Sequence, residues 1–126
     1  MKRDMNLIRS ILRSVESVEP TQFPTAVQFR EEGYDDATVF EHVRLMLDAG
    51  LLDGFVQDGS PRPMYVPQMA IRGLTWIGHD FLANAADDDR WHKATELVTK
   101  KAGSVAFDLL AEVLSKLARA SLGLSP

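Results

Sequence analysis

The chain has 126 residues, 45% hydrophobic and 25% charged, with a net charge of −4 and no cysteine. That length fits one domain with one core, and the composition is that of a folded globular protein rather than a disordered one. The missing cysteine excludes disulfides, thiolate zinc sites and a cysteine nucleophile, and no apolar run approaches the roughly 20 residues a bilayer-spanning helix needs.

Residues 3–18 read as an amphipathic helix. Met5, Ile8, Leu12 and Val15 recur at three and four residues, with Ile11 and Val18 widening the stripe. Pro20 and Pro24 end it. The start is basic, but Asp4, Asn6, Arg9, Ser10 and Arg13 interrupt the apolar stretch an export signal requires, so a cytoplasmic protein is expected. Ala26-Val27-Gln28-Phe29 alternates as a small strand would. A turn over residues 31–34 leads to a second helix, 35–49. Asp35 is its expected N-cap and Asp36 favours the helix dipole. Its apolar stripe is Val39, Phe40, Val43, Met46 and Leu47. Gly50 is expected in the left-handed C′ position, with Leu51 folding back onto Met46.

A β-hairpin with an irregular tip follows. It comprises Phe55-Val56, a Gly/Pro-rich connector over 58–63, then Met64-Tyr65-Val66 and Met69-Ala70-Ile71, with Pro67 marking an edge or bulge. Thr75 should cap a third helix over 76–86, with Ile77, Phe81, Leu82 and Ala85 inward. Asp87-Asp88-Asp89 should cap a fourth over 89–101, with Trp91, Ala94, Leu97 and Val98 inward. Gly103 separates it from a fifth, 104–121, capped by Ser104 and striped by Phe107, Leu110, Val113, Leu114 and Leu117.

Helix, short strand, helix and hairpin, in that order, make the skeleton of a winged helix. The stretch from Leu45 to Leu52 fits the Gly-Leu turn that feeds the first wing strand. The expected fold class is mainly α with a small β-hairpin (α+β), as one domain over 1–126. Residues 1–75 would form a winged-helix-like core and 76–126 a C-terminal helical extension. The usual fold has one more helix before the reader helix, and residues 20–34 leave little room for it.

The start, from Met1 to Arg9, resembles the "MKRDMDLIR" opening of the DUF2513 family of bacterial and phage proteins. Glu41 to Leu52 resembles that family's "yHl-x-lL-x-eAGLi". Leu74 to Leu82 resembles its "LTweGHeFLd", and Trp91-His92-Lys93 continues the likeness. Ile77 stands where Glu is common in the family. The resemblance implies a protein of a kind often carried on prophages and mobile elements, and it implies no particular chemistry.

No residue pattern makes an active site, and no cofactor, metal or small-molecule substrate is expected. His79 beside Asp80 suggests a general base, but neighbours on a helix point about 100° apart, so Asp80 cannot orient the ring. In the structural alternative Thr75 caps, Gly78 packs closely, Trp76 and Phe81 fill space, and His79 bonds a backbone carbonyl. His42, His79 and His92 lack metal-ligand spacing. Gly50 to Gly54 is a helix stop, not a phosphate loop. The three aspartates at 87–89 lack the alternate ligands of a calcium loop.

Two readings of function remain. Charge is uneven: residues 1–15 carry four basic and one acidic side chain, residues 16–60 two and ten, residues 61–126 eight and seven. The reader helix would present Asp35, Asp36, Glu41, His42, Arg44 and Asp48, a poor match for phosphates. That favours a non-enzymatic, protein-binding interaction module. Its partner would be a host protein, or a second copy paired through Phe107, Leu110, Leu114 and Leu117 of the last helix. The alternative for that apolar face is packing within the monomer. The alternative function is a DNA-binding regulator or accessory factor using Lys2, Arg3, Arg9, Arg13, Arg44, Arg62 and Arg72. A membrane-surface helix is disfavoured because Asp108 and Glu112 balance Lys116 and Arg119.

Overall fold

Seven elements appear in a computed structural model, which describes residues 1–19, 31–57, 68–102 and 106–124. They are α1 (Met5–Glu16), α2 (Asp36–Asp48), β1 (Leu52–Gln57), β2 (Gln68–Leu74), α3 (Trp76–Ala85), α4 (Asp88–Ala102) and α5 (Phe107–Ser121). The class is α+β, mostly helical with one two-stranded antiparallel sheet. The expected strand at 26–29, the hairpin residues 58–67 and the Ser104 cap lie outside the described residues. The chain divides into two compact units, Met1–His79 and Asp80–Pro126.

In Met1–His79, α1 starts two residues later than its periodicity suggests, because Asp4 caps it. The Asp4 carboxylate accepts from the Asn6 and Leu7 amides at 2.9 and 3.3 Å, pairing two amides that a helix start leaves orphaned. The face of α1 bearing Leu7, Ile8, Ile11 and Leu12 is buried, as are Val39, Phe40, Val43 and Met46 of α2. Each such side chain contributes about 1.5–3 kcal/mol of burial.

The end of α2 follows its sequence closely. Gly50 has φ +77°, a conformation that penalises any side chain with a Cβ. The Leu51 amide donates to the Met46 carbonyl at 2.9 Å and the Gly50 amide to Leu47 at 3.2 Å, the paired bonds of a Schellman stop. Leu51 and Leu52 are buried, and β1 departs from there. Its register with β2 runs from Leu52 opposite Leu74 to Gln57 opposite Gln68, and slips beyond Asp53, so that Arg72 has no partner across the ladder.

Thr75 joins the end of α2 to the start of α3. Its hydroxyl donates to the Gly50 carbonyl at 2.5 Å and accepts from the Gly78 amide at 3.0 Å. One turn into α3, a Cβ on Gly78 would overlap the Leu51 carbonyl oxygen, so glycine is needed for that approach.

In Asp80–Pro126, α4 begins after Asp87, whose carboxylate accepts from the Arg90 amide at 2.8 Å. Trp91, Ala94 and Val98 are buried on α4, and Leu110 and Leu114 on α5. Phe81 packs edge-on to Trp91, with centroids 6.4 Å apart, and stacks at a tilt on Phe107 at 4.9 Å. Helix α5 starts at Phe107 rather than 104, and its N-cap, Ala106, makes no side-chain bond. Leu97, expected inward, is 42% exposed, and so in Met1–His79 is Ile77, at 61%.

Candidate functional site

Much of the polar chemistry of Met1–His79 is spent on holding the unit together. His42, placed by its periodicity among the outward residues of the reader helix, is fully buried. Its Nε2 accepts from the Asp4 backbone amide at 2.9 Å, and its Nδ1 lies 2.8 Å from the Thr38 carbonyl. An Nε2 that accepts leaves the ring proton on Nδ1, donated to Thr38. Asp4 completes the cluster by accepting the Tyr34 hydroxyl at 2.6 Å. That bond first, then burial and the nearby carboxylates of Asp4 and Glu31, holds the Tyr34 phenol above its ordinary value. Glu31 accepts from Ser10 and Ser14 of α1 at 2.7 and 2.8 Å. The resemblance strings around Asp4 and His42 thus meet in space as a tie between two helices.

The basic residues expected to reach DNA sit in different surroundings. Arg9 is only 9% exposed, which removes it from any phosphate contact. Arg44 is tied to Glu41, three residues away on α2. Its guanidinium holds the Glu41 carboxyl below the usual range, and Glu41 raises Arg44 in turn. The pair is therefore ionised and mutually neutralised. Arg72 sits 4.0 Å from Asp53. Lys2, Arg3 and Arg13 are exposed, and Arg62 lies outside the described residues. Asp35, Asp36 and Asp48 leave the exposed surface of α2 acidic.

The most open feature of this unit lies at the start of α3. Trp76, expected to fill space, is 84% exposed, and Ile77 beside it is exposed too. His79 lies one turn further on, so it shares a face with Trp76. It borders a cleft of about 290 Å³ lined by Val15, Glu16, Val18, Ile71, Arg72, Gly73 and Leu74. The carboxylate nearest His79 is that of Glu16, 3.8 Å from Nδ1. That is beyond hydrogen-bond range, and among the described residues no hydrogen bond ties the ring to Asp80 or to a backbone carbonyl. The cleft offers apolar walls and one side chain each of acid, base and imidazole at its rim, with no nucleophile seated against a base. The sequence signal for it was the tryptophan, which hydropathy assigns to the core.

The four residues expected to pair across a two-fold axis are split by the structure. Leu110 and Leu114 are fully buried and form no surface, while Phe107 and Leu117 are half-buried. The exposed leucines of α5 and its end are Leu109, Leu122 and Leu124. No group of three or more potential metal ligands occurs among the described residues, and no helix among them is long and apolar enough to cross a membrane.

Among known proteins, the profile of a family described as "Hypothetical protein (DUF2513)" matches residues 2–104. A protein of Haemophilus influenzae described as "Uncharacterized protein" is 30% identical over 113 residues, covering 90% of this chain and 92% of that one. No solved structure matches.

Proposed function

We propose that this chain, which belongs to the DUF2513 family, is a non-enzymatic, winged-helix-like interaction module that binds another protein through the start of α3. The observation that carries the reading is Trp76. A tryptophan 84% exposed, beside an exposed isoleucine and one turn from an amphipathic cleft, is an anchor awaiting a partner. Aromatic side chains of this kind dominate binding hot spots, and polar rims around them supply orientation. Glu16, Arg72 and His79 of the neighbouring cleft would supply such groups. The resemblance in sequence implies a protein of a kind often carried on mobile elements, which makes a host protein the expected class of partner.

DNA binding is the weaker reading. It asks α2 to meet phosphates with Asp35, Asp36 and Asp48 while its single arginine is held by Glu41.

The test places a photo-crosslinking amino acid at position 76, and in a parallel variant at exposed Ala37 on α2, in living bacteria. A discrete crosslinked protein at 76 and none at 37 supports the reading. Absence of a product at 76, or one shared equally by both positions, overturns it. Anisotropy of a labelled duplex at about 50 mM and about 200 mM salt is the companion measurement. Binding that weakens steeply with salt would transfer the assignment to DNA.

A further inference from the structure

His42 is closed off from solvent, and both of its ring nitrogens are committed. Nδ1 gives its proton to the Thr38 carbonyl at 2.8 Å, one turn back on α2, and Nε2 receives the Asp4 amide at 2.9 Å. A charged ring carries a proton on each nitrogen and accepts nothing. Protonation would therefore set the Nε2 hydrogen against the hydrogen of the Asp4 amide.

That amide does not move alone. The same residue caps α1: its Oδ1 accepts from the Asn6 and Leu7 amides and its Oδ2 from the Tyr34 hydroxyl. Asp4 thus carries four bonds, which join the start of α1, the turn before α2 and α2 itself. Two carboxylates face the ring and would attract a positive charge on it. One is Asp4; the other is Glu41, near enough to feel both the ring and the amino terminus of the chain. Asp4 spends its carboxylate on the cap and on Tyr34, and Glu41 spends its own on Arg44. Turning either onto the ring would loosen the ties it makes now.

We propose that His42 is an acid-sensitive latch: the folded unit admits only the neutral ring, and a proton on Nε2 releases the start of α1 from α2. The segment it releases is the exposed run Met1–Arg3 and the first turn of α1. A histidine in the unfolded chain titrates near about pH 6.5. Below that value the unfolded ring takes up a proton that the folded one refuses. The contribution of the latch is therefore fully present above about pH 6.5 and is lost as the pH falls, with the unfolding constant rising by up to about tenfold per pH unit.

Long-range proton–nitrogen NMR spectra of the full chain, together with denaturant unfolding, test the latch between about pH 8 and about pH 5. At the upper end His42 should show the neutral pattern with the proton on Nδ1. On acidification its charged pattern should appear only in step with loss of exchange protection at the Asn6 and Leu7 amides, whereas the exposed His79 and His92 titrate independently of it. His42→Gln keeps an acceptor for the Asp4 amide and cannot titrate. Its unfolding constant should rise at least about tenfold less than the parent's between about pH 7 and about pH 5, while His79→Gln and His92→Gln behave as the parent. Three results would overturn the latch: a neutral ring protonated on Nε2, a His42 that charges while the two amides stay protected, or a His42→Gln variant that loses stability in acid as steeply as the parent. Should His42→Gln fail to fold, the spectra of the parent decide alone.

Discussion

In Met1–His79, side chains far apart in sequence meet through oxygen and nitrogen: Asp4 with Tyr34 and His42, Glu31 with Ser10 and Ser14, Thr75 with Gly50. In Asp80–Pro126, rings and alkyl groups hold distant positions: Phe81 lies against Trp91 and Phe107, and Leu110 and Leu114 of α5 are buried. Polar ties there are mostly local, such as the Asp87 cap, although Arg90 also reaches the Asn84 carbonyl and the Ser121 hydroxyl. In the first unit the polar ties fix directions around a core of many buried aliphatic side chains, whereas in the second a few large rings fill much of a smaller core.

That contrast can be broken most forcefully at Trp91. Trp91→Ala should cost about 3–5 kcal/mol, the range for emptying a buried aromatic site, read by chemical denaturation. A loss below about 1 kcal/mol would mean the ring is not what holds the second unit. In the first unit, Gly78→Ala forces a methyl against the Leu51 carbonyl and should cost about 1–3 kcal/mol. An unchanged melting temperature would show that α3 can shift away from β1. Asp4→Ala removes a helix cap and strands the Tyr34 hydroxyl, for about 1–2 kcal/mol. Asp4→Asn should recover part of this, because an amide oxygen can still accept at the cap, and equal losses in both variants would point to charge rather than geometry.

The smallest expected effect depends on pH. Folding raises the Tyr34 phenol above 10.0, so the folded chain keeps a proton that the unfolded chain releases. Its contribution is fully present below about pH 10 and declines as pH rises through the folded value. Tyr34→Phe should flatten the fall in stability above pH 10. Both tyrosines of the chain precede residue 80, so the effect belongs to the first unit alone. A slope that survives the substitution would assign the alkaline loss elsewhere.

Local features were legible in the sequence. The Asp35 cap, the Gly50 stop and the Thr75 and Asp87 caps depend on residues a few positions apart, and the structure has them where the pattern puts them. Non-local features were not. His42 looks outward by helical count because its partner, the Asp4 amide, lies 38 residues away. Periodicity marked the apolar stripe of α5 but left open whether Leu110 and Leu114 pair with a second copy or pack within the monomer, and it gave no sign that the exposed leucine is Leu109. Hydropathy placed Trp76 and Ile77 inside. Their exposure is what makes the start of α3 a candidate site, and composition alone gives no sign of it.

The hydroxyl of Thr75 has one proton and uses it on Gly50, while its lone pair receives Gly78, and the adjoining Thr75 amide donates to the Leu51 carbonyl at 3.1 Å. The chain thus leaves α2 and re-enters α3 at one point, closed like the neck of a purse. The paired strands β1 and β2 are an excursion from that neck. Lengthening such an excursion costs only a slowly growing closure entropy. Relatives should therefore be able to change the length of chain inside this neck while keeping α2 and α3 in place.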